Sequence, residues 1–317
     1  MSSNQSTVEQ RALLVPMIAP LDERGRLDHA SYRRHVGHVI DSGATGLWVN
    51  GTSGDFHALC EEDLVETIGI ARSVIGKGVP LVAHMGDTAT GRVVERARRA
   101  MDAGADHIAA ITPYYTDYTE AEIVCHHARI AEATGRGVYI YQHPATGKAQ
   151  LAVETIIEMA QRGICIGIKE SGSDLESFRQ LVRRSEETGC GLRTFHGVGG
   201  HALETLLMRS SGIITVLANL VPRTCSDLCL AVGMDRLDEA ERLQLKMRLL
   251  AGTLSECLSR RTTSAPSVAA MKFILKELGM YTHDVVPEPL EPLHADEKAA
   301  LLARVLPLVK DELDPSS

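Results

Sequence analysis

Eight short apolar runs alternate with stretches of helical periodicity between Leu13 and Val216, and few folds accommodate that rhythm. The runs are Leu13–Ile18, Gly46–Asn50, Val79–His84, His107–Ile111, Val138–Tyr141, Gly163–Lys169, Leu192–His196 and Gly212–Val216. Asp28 is placed to cap a helix through about Ile40, with Tyr32, Val36, Val39 and Ile40 on its apolar face. Further helical patterns run over Glu61–Ile75, Thr90–Ala103, Glu120–Ala133, Val153–Gln161, Asp174–Glu187 and His201–Arg209. Eight strands separated by helices predict an α/β fold, a (β/α)8 TIM barrel, with a doubly wound sheet as the alternative.

From Pro222 the strand signals stop. Helical patterns cover Cys225–Val232, Leu237–Leu258, Ser267–Leu278 and Ala295–Val309, with loop-like breaks at Thr262–Pro266 and Pro287–Pro292 and a frayed polar tail from Asp311. The expected division is a barrel carrying the active site over residues 1–221 and a C-terminal helical appendage over 222–317.

Composition narrows the partners. The net charge is −8, which offers no electrostatic case for nucleic acid or an anionic membrane. Seven scattered cysteines form no framework and read as buried thiols of a reducing, cytoplasmic compartment. Cys225 and Cys229 lie four apart on one helix, where shared packing is favoured over a metal pair because no second pair completes a site. The first ten residues lack the apolar stretch of a signal peptide, and no apolar run reaches membrane-spanning length.

The sixth run, Gly163-Ile164-Cys165-Ile166-Gly167-Ile168, is apolar or glycine throughout and ends in Lys169. The chain has only eight lysines against twenty-five arginines, so a lysine there calls for a reason. In apolar surroundings an ammonium tends to lose its proton, and the free amine can attack a ketone, which arginine does not do. The bland alternative is a lysine that snorkels from a strand end into water.

Active sites of such barrels lie at the C-terminal ends of the strands. Those ends carry Asn50-Gly51-Thr52-Ser53-Gly54-Asp55, His84-Met85-Gly86, Thr112-Pro113-Tyr114-Tyr115, Tyr141-Gln142-His143-Pro144, Lys169-Glu170-Ser171 and His196-Gly197-Val198-Gly199-Gly200. Five of the seven tyrosines fall between residues 114 and 141. A phenol beside an imine can relay protons, whereas the plain alternative is packing at the barrel rim. Thr52 and Ser53 between glycines offer hydroxyl and backbone donors to a small carboxylate, although such a run is also ordinary turn chemistry. His84, His143 and His196 are candidates for the substrate end of the pocket, weighed against plain hydrogen-bonded rim histidines.

Gly51-Thr52-Ser53-Gly54-Asp55, Thr112-Pro113-Tyr114-Tyr115, Tyr139-Ile140-Tyr141-Gln142-His143-Pro144, Gly167-Ile168-Lys169-Glu170-Ser171 and Gly197-Val198-Gly199-Gly200 occur together in order. In them the sequence resembles the dihydrodipicolinate synthase / N-acetylneuraminate lyase family of pyruvate-handling enzymes, over about residues 10–290. The resemblance implies a lysine imine of Lys169 with a 2-oxo acid and a proton shuttle at Tyr141. It also implies a link through Thr52 to Tyr115, which in the family reaches in from a neighbouring subunit. Thr52 and Ser53 hold the substrate carboxylate on this view; Gly197 and Ile214 are expected in the substrate-binding set, and so is His143, although it is not a typical occupant of its position in the family. The family's usual assembly is a tetramer of tight dimers, its substrate partner a small 2-oxo acid such as pyruvate, and no cofactor or metal is called for.

The sequence also departs from that pattern. The lysine-pathway synthases carry an arginine two residues after the proline of Tyr-x-x-Pro, where it clamps a second carboxylate; here the position is Thr146. Lys148 is near but offers only a point charge, and Gln142 stands where the family usually has Asn. The synthase activity itself is therefore disfavoured. The favoured reading is a Schiff-base lyase, a pyruvate-dependent aldolase acting on a 4-hydroxy-2-oxo acid or a 2-oxo-3-deoxy sugar acid. A 2-oxo-acid dehydratase and a non-catalytic oxo-acid-binding barrel are the alternatives. A phosphosugar barrel with Gly197–Gly200 as its phosphate cradle ranks below these, since no Lys or Arg adjoins the loop in sequence.

Overall fold

A computed structural model describes residues 11–147, 149–258 and 266–313. Met1–Gln10, Lys148 and most of the expected break at Thr262–Pro266 lie outside the described residues.

Eight parallel strands close in sequence order into a barrel: β1 (Ala12–Pro16), β2 (Gly46–Val49), β3 (Leu81–His84), β4 (His107–Ile111), β5 (Val138–Gln142), β6 (Cys165–Glu170), β7 (Arg193–His196) and β8 (Gly212–Ile213). The ring shuts where Ala12 and Leu13 pair with Gly212 and Ile213. The helices between strands are α1 (His29–Asp41), α2 (Glu61–Ile75), α3 (Thr90–Asp102), α4 (Glu120–Thr134), α5 (Val153–Gln161), α6 (Leu175–Thr188) and α7 (Ala202–Leu207). β2, β3 and β5 are buried along their whole length, as strands covered on both faces must be. That is why they read as continuous apolar runs rather than alternating ones. Asp28 caps α1 as its sequence suggests, accepting from the backbone N–H groups of Ala30 and Ser31.

The last repeat is more compact than its pattern predicts. β8 is two residues long because the chain turns into a 3-10 segment over Val216–Asn219, with Thr215 accepting at its start from Leu217 N–H. The expected helix over His201–Arg209 is a 3-10 turn at Gly199–His201 followed by the six-residue α7. Gln244 fastens this junction, donating to Gly199 O at 3.0 Å and accepting from Leu203 N–H at 2.7 Å.

Beyond β8 come α8 (Pro222–Gly233), α9 (Leu237–Cys257), α10 (Pro266–Glu277), α11 (Ala295–Arg304) and α12 (Leu306–Val309). α8 lies against β1 and against α9. Cys225 and Cys229 are buried in the core beneath α8, the first facing the Met247 sulfur. The single helix expected over Ala295–Val309 is broken at Val305, since Pro307 has no N–H to carry the ladder on. The tail expected to fray from Asp311 does not do so at once. Glu312 is buried and accepts from the backbone N–H groups of Arg223 and Thr224 and from Lys246 Nζ at 2.8 Å. A carboxylate on the free N–H groups that open α8 satisfies donors the helix cannot.

Candidate active site

β5 and β6 run in parallel with Tyr141 paired to Lys169. Successive strand residues point to opposite faces, so Lys169 and Ser171 face the barrel mouth while Glu170 turns outward. Outside, the Glu170 carboxylate accepts from Gln142 Nε2 at 2.9 Å and from Gly172 N–H at 2.7 Å, and burial pushes its pKa up. Gln142 in turn accepts from Leu151 N–H at 2.6 Å. The residue that departs from the usual Asn thus fixes the loop after β5 to the end of β6.

Lys169 is 5% exposed, at the floor of a cavity of about 600 Å³ that opens at the C-terminal end of the barrel. Its Nζ lies over the Tyr141 ring at 4.4 Å and over the Trp48 ring at 5.4 Å from the centroids. Desolvation by burial lowers its pKa from 10.5 to about 7. The room for this side chain comes from Gly197, where a Cβ would stand 3.2 Å from Lys169 Cε and collide with Ser171 Oγ.

The Tyr141 hydroxyl meets Thr52 Oγ1 at 3.3 Å. Burial raises the phenol's pKa, and hydrogen bonds with Thr52 and Ser171 pull it back down. Thr52 and Ser53 sit on a single 3-10 turn, Thr52–Gly54, directly after β2. Gly54 is required there: a Cβ would come within 2.9 Å of the Met17 carbonyl. The turn therefore rides tight on the end of β1 with its hydroxyls toward the cavity.

Of the residues singled out from sequence, Lys169, Tyr141, Thr52, Ser53, His143, Gly197 and Ile214 all line this one cavity. Tyr115 does not; it is 80% exposed on the outside, and its neighbour Tyr114 lines the cavity instead. His143 is half-buried and edge-on to Tyr141, with its pKa lowered by burial and then by the charge of Lys169. His84 is a buried lock rather than a lining residue. Its Nδ1–H donates to Asn50 O at 2.8 Å and its Nε2 accepts from Ile111 N–H at 3.2 Å, which fixes a neutral tautomer; burial holds its pKa at about 3. His196 is buried against Phe178, accepting from Val198 N–H, with its pKa lowered to about 4 by burial. The Gly197–Gly200 loop does have an arginine beside it, contrary to its sequence surroundings. Arg248 reaches it from α9 and donates to the Gly200 carbonyl at 2.9 Å.

Ser171 and Asp55, which the sequence marks only as strand-end residues without a role, also line the cavity, together with Phe56, His57 and a wall formed by Ser267, Val268 and Leu290 that the sequence does not signal. Ser171 was findable, because a residue two after Lys169 shares its face. The C-terminal wall carries no local signal. Thr146 lines the cavity where the synthase pattern has its arginine. Among the described residues, Lys169 is the one Lys or Arg in the lining.

A family model described as the dihydrodipicolinate synthetase family matches residues 9–306. A 4-hydroxy-tetrahydrodipicolinate synthase of Bartonella bacilliformis is 30% identical over 284 residues, covering 89% of this chain and 92% of its own. One of Acidiphilium cryptum is 29% identical, covering 92% and 95%. Among solved structures, YagE of Escherichia coli K12, in complex with pyruvate, superposes with a TM-score of 0.87 at 22% identity, covering 94% of this chain and 98% of that one. The dihydrodipicolinate synthase of Acinetobacter baumannii, also complexed with pyruvate, gives 0.82 at 25% identity, with 96% and 99% covered. The strand order, the lysine at the end of β6 and a match that runs nearly the length of the chain agree: the chain belongs to the dihydrodipicolinate synthetase family of lyases.

Proposed function

We propose that the protein is a class I lyase that forms a Schiff base between Lys169 and a 2-oxo acid, and that it works as a pyruvate-dependent aldolase. One observation carries this reading: a buried lysine amine with a pKa of about 7, facing a phenol ring at the floor of a cavity. At neutral pH a good fraction of that amine is unprotonated and nucleophilic.

The geometry suits the following chemistry. The amine adds to the C2 carbonyl, and the carbinolamine loses water to leave an imine. Protonated, that imine draws electrons from C3, so a C3 proton leaves and an enamine forms. The enamine attacks an aldehyde carbon to make a C–C bond, with a proton delivered to the new alkoxide; run backwards, the bond breaks and pyruvate is released. Tyr141 is suited to carry the proton in both directions, with Thr52 and Ser171 as its hydrogen-bond partners. Thr52 and Ser53 are suited to the carboxylate. None of these steps calls for a metal or an organic cofactor.

Thr146 supports an aldolase over the synthase named in the relatives, since a threonine offers no bidentate clamp for a second carboxylate. Formation of the corresponding enamine on a longer 4-hydroxy-2-oxo acid, followed by loss of its C4 hydroxyl as water, would make a dehydratase, and that is the second reading. We further infer a homotetramer of the family type: Tyr115 stands outward as a residue that serves a neighbouring subunit would. A reducing, cytoplasmic setting suits the seven unbridged thiols. No helix of the described residues is long and apolar enough to cross a membrane.

The decisive experiment is reduction with borohydride in the presence of pyruvate. A stable adduct on Lys169, seen by peptide mass, is expected. An unmodified Lys169 would favour the non-catalytic binding barrel. Release of pyruvate from 2-oxo-3-deoxy sugar acids or 4-hydroxy-2-oxoglutarate separates aldolase from dehydratase, which would give loss of water instead.

A further inference from the structure

Asp55 ends the turn that carries Thr52 and Ser53, and it does so in the left-handed region at φ 55°. It lines the cavity yet is almost fully buried. Its carboxylate accepts from Lys272 Nζ at 2.7 Å. Lys272 lies on α10, has no solvent exposure, and also donates to the Val285 carbonyl at 3.2 Å. The two charges come from chain segments 217 residues apart.

A pair of this kind is an inefficient way to stabilise a fold. Both charges lose their hydration, and apolar residues of the same volume often do as well or better. What the pair supplies is geometry. Gly54 presses the turn against the Met17 carbonyl from one side, and Lys272 holds Asp55 from the other. A non-glycine residue in the left-handed region stays there only while its surroundings hold it. The same helix that provides the ammonium also provides Ser267 and Val268 to the cavity wall.

We propose that Lys272 is a positioning residue for capture of the 2-oxo acid: through Asp55 it holds the Thr52–Ser53 turn in the shape that receives the substrate carboxylate. The C-terminal helices are thereby part of the binding machinery and not only a cover for the barrel. This role rests on the imine reading of Lys169, and pyruvate is the probe.

The test is the pyruvate concentration that gives half-maximal borohydride trapping on Lys169, read by intact mass beside Tm. It is measured for the wild type, Lys272→Met and the double variant Lys272→Met/Asp55→Asn. Both variants are expected to need tenfold or more pyruvate for half-trapping, and to be trapped completely when pyruvate is saturating. Lys272→Met leaves a lone buried carboxylate; if it does not fold, the double variant, which buries no charge, carries the test. A folded variant with lowered Tm but an unchanged half-trapping concentration overturns the proposal, because a purely structural lysine has that signature. Absence of any adduct in the wild type overturns the imine reading, and this role with it.

Discussion

Lys169 Nζ stands over the face of the Tyr141 ring, 4.4 Å from its centroid, on the neighbouring strand and in direct register with it. Two effects meet at that amine. Burial disfavours the ammonium, while the electron-rich faces of Tyr141 and Trp48 favour it. Burial lowers the pKa to about 7. Only the free amine attacks a carbonyl. The rate of pyruvate trapping at subsaturating concentration should therefore climb as pH rises through about 7 and level off above it. A rate that keeps rising toward pH 10 would mean an ordinary, solvated lysine.

The same shift has a stability consequence of definite sign. The folded pKa of about 7 lies below the unfolded value of 10.5, so between them the unfolded chain binds more protons. Stability then rises with pH across that window, and the cost of burying the amine is fully present below pH 7. Lys169→Met, which keeps the volume and removes the charge, should abolish turnover and raise stability. At about 1.4 kcal/mol per pKa unit the gain amounts to a few kcal/mol near neutral pH. It should shrink toward zero as pH approaches 10.5. Denaturant midpoints of the two proteins at pH 6, 8 and 10 check both the sign and the trend.

Tyr141→Phe separates proton relay from covalent capture. The ring that lies against Lys169 remains, while the hydroxyl that meets Thr52 is lost. Turnover of an aldol substrate should fall by about 10²- to 10⁴-fold, the range for removing a positioned acid–base group. Borohydride trapping of pyruvate should persist to completion on a longer timescale. Equal loss of both activities would point to a collapsed cavity instead of a missing proton carrier.

Much of this was legible in the sequence, for reasons that can be named. Parallel strands buried on both faces leave uninterrupted apolar runs, so β2, β3 and β5 stood out, and the barrel rule then placed Lys169, Tyr141, Thr52 and Gly197 at one mouth. The histidines were not separable by that rule. His84 is taken up by a backbone N–H and a backbone C=O from two other strand ends, which only the closed barrel brings together. Glu312 looked like part of a solvated tail because its partners, Thr224 and Lys246, lie 88 and 66 residues away. Lys272 was invisible for the same reason: its chemistry is defined by Asp55, on the far side of the chain.

The choice between aldolase and synthase can be put to a direct trial at Thr146. Its side chain lines the cavity beside His143, where the resemblance leads one to expect a guanidinium, and among the described residues no other Arg or Lys shares the cavity with Lys169. An arginine there could bind a carboxylate with two parallel hydrogen bonds, a contact threonine cannot make. Thr146→Arg should therefore shift preference toward 2-oxo acids with a second carboxylate. Measured as competition against pyruvate for borohydride trapping on Lys169, 2-oxoglutarate should gain about tenfold or more, equivalent to about 1.4 kcal/mol and just below the low end of the range for a hydrogen bond to a charged group. In the same variant, cleavage of a 2-oxo-3-deoxy sugar acid should weaken, because the longer side chain fills part of the cavity that Thr146 leaves open. If 2-oxoglutarate gains nothing while pyruvate capture is intact, residue 146 does not set the charge preference of the cavity, and the argument against synthase activity loses its footing.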